Sequence, residues 1–353
     1  MIYDILVVGA GLSGAVIAER FANAGKKVCV IDKRNHIGGN CYDEINENGI
    51  RINKYGAHIF HTNYEDVWNY VNKFSKWKRY DHKVLSRVDG KLVPVPVNIN
   101  TVNKIMNCNI SNEEEMNEWL SKNQVNINKI ETSEDVGRSR FGDILYEKMF
   151  KYYTKKQWDK YPNELDASVL GRISIRPNFD DRYFSDKYQA LPENGYTEFI
   201  SNILKHKNIE ILNNTDYFEI KDKIKADIII YTGPIDKYFE GLSYPKLEYR
   251  SINFEIVTIK NCNYYQSNSV INLPQFEKGL EDVTRIVEYK YFYENNSPHT
   301  TIVYERTTDE GEPYYPVPNK KNIELYELYK KETEKIKNVH FLGRLANYKY
   351  FMF

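Results

Sequence analysis

The stretch Gly9-Ala10-Gly11-Leu12-Ser13-Gly14 follows an apolar run at residues 3–8 and opens a segment of helical spacing at residues 15–24. Strand, glycine turn and helix in that order commit the start of the chain to a βαβ unit of a parallel sheet. Gly9 permits the tight turn, Gly11 lets backbone approach a pyrophosphate, and Gly14 lets the helix lie close against the strand. A diphosphate then meets the free N–H groups at the positive end of the helix. Asp32 closes the second strand, residues 27–31, where a carboxylate can accept hydrogen bonds from ribose hydroxyls.

The residues just after the ribose acid separate FAD from NAD. Lys33-Arg34-Asn35-His36-Ile37-Gly38-Gly39-Asn40 adds a second glycine pair, a pattern of FAD proteins in which extended chain wraps the cofactor. Gly343-Arg344 would complete the site, its guanidinium available to the diphosphate. FAD is therefore preferred. The cofactor candidates are Gly9, Gly11, Leu12, Ser13, Gly14, Asp32, Lys33, Gly39, Asn40 and Arg344.

A length of 353 residues suffices for two or three domains. Residues 103–158 shift to Lys, Glu and Asn with helical periodicity, including 112–122 and 142–153, and read as a helical insertion. Runs of β-formers at 252–259, 270–273, 285–293 and 300–304 suggest an antiparallel sheet. Residues 91–97 read as an edge strand, because Pro94 and Pro96 cannot donate to a ladder. Strands at 209–212, 226–231 and 339–342 return to the nucleotide sheet, so both chain ends build one domain. The expected fold is α/β. A Rossmann-like FAD-binding domain (1–80, 191–245 and 322–353) carries a helical subdomain (100–165) and an antiparallel β-sheet substrate domain (81–99, 166–190 and 246–321).

Charge is balanced, 49 basic against 49 acidic residues. That disfavours a polyanion-binding groove but leaves room for a basic pocket holding one diphosphate. Cys29, Cys41, Cys108 and Cys262 stand alone, so neither a zinc site nor a disulfide framework is indicated, which fits a reducing cytosol. Cys29, inside an apolar strand, reads as a small buried hydrophobe. The apolar start lacks a basic leader and is broken by Asp4 and glycines, so it is not read as a signal segment. No run is long and apolar enough to span a bilayer, and a soluble, cytoplasmic protein is expected.

Together these strings resemble the UDP-galactopyranose mutase family: GAGLSG, RNHIGGN, KYGAHIFHTN at 54–63, YTKKQW at 153–158, YFSD at 183–186, YTGPID at 231–236, TRIVE at 284–288, EPYYP at 312–316 and GRLA at 343–346. The resemblance covers nearly the whole chain. It implies interconversion of UDP-galactopyranose and UDP-galactofuranose on reduced FAD with no net redox change. In the family, flavin N5 attacks the anomeric carbon as UDP leaves, the sugar ring opens and recloses through another hydroxyl, and UDP returns to release the flavin. Arg172 and Arg285 resemble the family's pyrophosphate arginines, whose planar fork suits phosphate oxygens. Tyr153, Thr154 and Trp158 resemble positions around uridine and ribose, while Tyr183, Asn272, Tyr315 and Tyr350 resemble contacts to phosphates and sugar. His58 and His61 resemble the pair beside the isoalloxazine, with His61 the stronger candidate for a catalytic part. Residues 166–181, carrying Arg172, read as a loop that in the family closes over substrate.

The family's string continues past GRLAxYKY with an Asp-Met-containing segment and a helix, whereas here Tyr350 is followed by Phe351-Met352-Phe353. The expectation is a surviving fold and groove with impaired FAD affinity or turnover. Two other readings stay open: an amine-oxidase-like flavin oxidoreductase, and an inactive sugar-nucleotide-binding remnant. Oligomeric state is not fixed, a homodimer being among the options.

Overall fold

The computed structural model describes residues 2–350. Five parallel strands form the nucleotide sheet, in the order Ile209–Leu212, Val28–Ile31, Ile2–Val8, Lys225–Tyr231, Val339–Phe341. Burial on both faces of the inner strands Ile2–Val8 and Val28–Ile31 explains their near-continuous apolar runs. Ile5, Val7, Val28 and Val30 join one core, while Leu6, Cys29 and Ile31 join another. The helix Leu12–Asn23 buries Ala15, Ala18 and Ala22, small side chains that let it lie close on the sheet. It starts earlier than the periodicity predicted, because extended Gly11 already serves as its N-cap.

A second sheet has seven strands in the order Tyr315–Pro316, Tyr249–Ile259, Thr300–Thr308, Val283–Glu288, Val270–Asn272, Val84–Val88, Lys91–Val95. The last is an edge strand, as expected of a strand holding Pro94; it ends at Val95, short of Pro96. One pair departs from the antiparallel expectation: Val270–Asn272 runs parallel to Val84–Val88. No hairpin joins these two; the whole helical insertion lies between them, and a long crossover is what parallel pairing needs. The strand expected over 285–293 stops at Glu288, where Tyr289 is buried and its hydroxyl donates to the Asn53 carbonyl at 3.0 Å. A small third sheet pairs Tyr188–Pro192 with both Phe60–Thr62 and Trp77–Arg79.

The helical insertion contains Ile99–Met106, Glu113–Asn123, Ser133–Leu145 and Tyr152–Trp158. The helix expected over 142–153 forms from residue 143 onward. Gly142 itself, with φ of 76°, makes a kink, a backbone conformation suited to glycine at a point where a Cβ would collide with the Asn123 carbonyl. A π-helical stretch, Tyr146–Lys151, then widens the helix just before Tyr153.

Candidate functional site

A cavity of about 1000 Å³ opens at the C-terminal end of the parallel strands. Its lining includes Gly9, Gly11, Leu12, Ser13, Gly14, Asp32, Lys33, Gly39, Asn40, His58 and Arg344. The two glycine loops pack directly together, with Gly38 N–H donating to the Ala10 carbonyl at 2.9 Å. Close approach is why these positions lack side chains. A Cβ on Gly14 would strike the Gly9 carbonyl, and one on Gly39, at φ of 54°, would lie 2.9 Å from the Gly11 Cα.

Asp32 is held by Ala10 N–H at 2.8 Å and Arg34 N–H at 2.9 Å, which fixes its carboxylate at the cavity wall. Lys33 pairs at 2.6 Å with Glu312, reaching across from the segment before Tyr315–Pro316. Arg34 donates to Asn40 Oδ1 at 3.1 Å and lies 4.3 Å from the centre of the Tyr55 ring. Gly343 meets Ser13, which brings the C-terminal Gly-Arg pair to the N-terminal loop. Glu312, Thr232 and Cys41 also line this cavity and were not singled out from sequence. Glu312 and Thr232 belong to the EPYYP and YTGPID strings, so their motifs carried the signal without saying which residue faces inward.

None of the substrate candidates lines that cavity; they gather into a separate polar and aromatic group. Trp158 is buried edge-on to Tyr315 and Tyr350, ring centres 6.3 and 6.2 Å apart, and the two tyrosines stack at 5.9 Å. Arg172 and Arg344 each hold a guanidinium 5.5 Å from the centre of the Tyr350 ring. The Tyr350 hydroxyl is buried with no hydrogen-bond partner among the described residues. Burial pushes its pKa well up, against the pull of Arg172. It therefore stays a protonated donor between two cations.

Arg285 sits opposite Asn272 across neighbouring strands, so both point to the same side of the sheet. Its Nε donates to Glu305 Oε2 at 2.6 Å, and Glu305 is only 2% exposed. Burial opposes the guanidinium charge, but Glu305, with Tyr315 and Tyr153 nearby, holds it well above its ordinary range. Tyr153 is pushed up to about 12 by burial, with Arg285 pulling the other way and Tyr183, Glu305 and Tyr315 adding to the rise. Thr154 is buried one residue further along, while Tyr183 stays partly exposed, edge-on to His82 at 5.8 Å. Three arginines (Arg172, Arg285 and Arg344) and four tyrosines thus converge on one region.

The histidines separate. His58 lines the cavity and donates through Nδ1 to the Gly56 carbonyl at 2.8 Å. Burial, then the nearby Arg344 charge, push its pKa down to about 4, so the ring is neutral near pH 7 with Nε2 as an acceptor. His61 lies outside the lining residues; it pairs with Asp186 at 3.0 Å and stacks on Phe184 at 3.6 Å. His82 was not foreseen: a lone histidine between polar neighbours gave no signal. It is buried beside Tyr183 and Phe184, its Nδ1 without a partner among the described residues.

A family model described as UDP-galactopyranose mutase matches residues 148–350, and one described as an NAD(P)-binding Rossmann-like domain matches 7–74. A probable UDP-galactopyranose mutase of Klebsiella pneumoniae is 37% identical over 98% of this chain and 90% of its own length. The chain belongs to the UDP-galactopyranose mutase family. Membership makes it an enzyme of the isomerase class, and family and Rossmann-like fold together point to a flavin cofactor. A dTDP-fucopyranose mutase of Escherichia coli is 36% identical over 98% of this chain and 93% of its own length. Among solved structures, a reduced UDP-galactopyranose mutase superposes with a TM-score of 0.77 at 16% identity, covering 99% of this chain and 91% of its own, which speaks to the fold. No helix among the described residues is long and apolar enough to cross a membrane. The expected divergence after Tyr350 falls on residues 351–353, outside the described residues.

Proposed function

We propose that this mutase-family protein interconverts UDP-galactopyranose and UDP-galactofuranose on reduced FAD, in the cytoplasm, with no net redox change. The observation that carries the reading is the placement of Arg285, Arg172 and the tyrosine group next to a glycine-walled dinucleotide cavity, with Arg344 between the two. The cavity fits FAD: the backbone-close loops Gly9–Gly14 and Gly38–Asn40 would take the diphosphate, Asp32 the ribose, and Arg344 the far phosphate edge. Reduced flavin, when bound, supplies an electron-rich N5 as nucleophile toward the anomeric carbon.

The protein's own groups have defined tasks in this proposal. Arg172 and Arg285 bind the diphosphate and neutralise the charge that grows as the sugar–phosphate bond weakens. Tyr315 and Tyr350 donate to phosphate, and burial holds the Tyr350 hydroxyl neutral. Tyr153, Thr154 and Trp158 hold the nucleoside, and Asn272 and Tyr183 orient the sugar. His58, neutral, accepts a hydrogen bond at the cofactor; His61 acts through the Phe184–Asp186 segment that it braces. Residues 166–181 exclude water when substrate is present. The discontinuous FAD-binding domain, helical subdomain and sheet domain divide these tasks as cofactor holder, nucleoside wall and phosphate wall.

The 36% relative named a dTDP-fucopyranose mutase favours a second substrate in the same chemistry. Incubation of the dithionite-reduced protein with UDP-galactofuranose and with dTDP-fucopyranose, followed by chromatography, tests both. Ring interconversion of the UDP-sugar without stoichiometric loss of reductant supports the proposal. Conversion of the dTDP-sugar alone moves the substrate assignment, and no conversion of either overturns it.

A further inference from the structure

We infer that Lys156 is a positioning residue for the phosphate-binding wall: its buried ammonium clamps the hairpin bearing Asn272 and Arg285 onto the helix bearing Tyr153. The inference rests on the sugar-nucleotide reading above. Lys156 lies within the YTKKQW string, yet it is only 8% exposed, an unusual position for an ammonium group. Its Nζ reaches the carbonyls of Gln275 at 2.8 Å, Leu273 at 3.0 Å, Val283 at 3.2 Å and Leu280 at 3.5 Å. Leu273, Gln275 and Leu280 belong to the loop that joins Val270–Asn272 to Val283–Glu288, and Val283 opens the second of those strands.

The geometry is that of a staple at the base of a hairpin. Leu273 follows Asn272 directly, and Val283 precedes Arg285 by two positions, so the ammonium grips the loop where it leaves each functional residue. The Lys156 carbonyl accepts from the Thr307 hydroxyl, which ties the same residue to the strand carrying Glu305, the Arg285 partner. Helix, hairpin and central strand therefore meet at one side chain. Without the cation, the loop carbonyls would face each other with no donor, a costly arrangement in a buried place. The loop would spread, and Arg285 would move relative to Tyr153.

Burial of Lys156 is what makes the clamp sensitive to pH. Desolvation pulls its pKa down to about 8, with Glu277, Asp282 and Glu281 of the loop working in the opposite direction. Those carboxylates are themselves paired or near cations: Glu277 with Arg87 at 2.7 Å and Asp282 with Arg306 at 3.1 Å. On its own helix the nearest charges are the exposed Lys155–Asp159 pair, and Phe276 covers the ammonium at 5.3 Å. Lys156 therefore changes charge between about pH 7 and 9.5. Loss of its proton removes one donor and turns a lone pair toward the carbonyls.

The test is UDP binding to the oxidised holoenzyme by calorimetry between about pH 6.5 and 9.5, for wild type, Lys156→Met and Lys156→Arg. A displacement of ~1 Å at a positioned group can cost ~100-fold, so the expected effect is clear of error. Wild-type affinity should fall about tenfold or more through a midpoint near pH 8. Lys156→Met should bind about tenfold weaker at pH 7 with a flat profile, and Lys156→Arg should recover most affinity and lose the alkaline limb, since a guanidinium stays charged. A merely stabilising lysine would change the melting temperature but leave the binding profile alone. Wild-type binding with no alkaline limb, or a folded Lys156→Met variant of unchanged affinity, overturns the assignment. If Lys156→Met does not fold, the wild-type and Lys156→Arg profiles decide by the same criterion. Failure of wild type to bind UDP at all overturns the site reading, and this assignment with it.

Discussion

Arg285 and Glu305 form a pair whose removal separates a structural from a functional role. Glu305 is 2% exposed, its Oε2 takes Arg285 Nε at 2.6 Å, and its Oε1 has no partner among the described residues. Arg285→Met keeps the volume but leaves a buried carboxylate with neither oxygen paired. Stranding a buried charge costs about 3–5 kcal/mol. The Arg285 side chain is 28% exposed, so water relieves part of that, and about 2–4 kcal/mol is expected. A 353-residue chain at ~2.1 cal/mol/K per residue has an unfolding entropy of ~0.74 kcal/mol/K. The melting temperature of Arg285→Met should therefore fall by roughly 3–5 °C. Adding Glu305→Gln removes the stranded charge, and the double variant should regain at least about half of the loss. UDP affinity behaves differently. A charge-assisted hydrogen bond to phosphate contributes about 1.5–3 kcal/mol, or roughly 10- to 150-fold, and both variants should lose it alike. Differential scanning fluorimetry and calorimetric UDP titration read the two effects separately. An Arg285→Met protein with an unchanged melting point, or a double variant no more stable than the single, would refute the reasoning.

Three further outcomes are expected. Gly39→Ala should lower flavin occupancy about tenfold or more, measured by absorbance near 450 nm, because the new Cβ at φ of 54° meets backbone 2.9 Å away. Glu312→Gln, which removes an exposed partner of Lys33, should change the melting point by less than about 1.5 °C, since such pairs contribute under about 1 kcal/mol. Burial is the first cause that pushes His58 and His82 down to about 4 and about 3. Unfolded histidines titrate near ~6.5 and take up protons below it, so stability should fall as pH drops from ~6.5 toward ~4, and should not respond to these groups above that window. His82→Gln should flatten part of that slope, with His36 and His61, also pushed down by burial, keeping some of the rest; an unchanged slope would remove His82 from the explanation.

Legibility differed with the range of the contacts involved. The loops Gly9–Gly14 and Gly38–Asn40 were readable because each glycine answers a local demand, a turn or a close backbone approach, that few other residues meet. The edge strand Lys91–Val95 was readable for the same reason, as proline advertises its missing donor. The kink at Gly142 was not legible, because its positive φ accompanies a close approach to the Asn123 carbonyl of a separate helix. The Tyr315, Tyr350 and Trp158 group could be named by motif, yet with thirty tyrosines in the chain no spacing rule says which ones stack.

Sequence by itself determined the Rossmann-like start of the chain, the return of both ends to one sheet, and the glycine loops that wall the cavity. Those features arise from backbone geometry and periodicity, which act over a few residues. Tertiary structure alone decided that His58 faces the cavity while His61 is braced by Asp186, that Arg285 is charged against a buried Glu305, and that Lys156 holds a loop more than a hundred residues away. Each of these depends on burial, and the free energy of a charge or a lone pair is set by the groups that exclude water from it, wherever in the chain they come from.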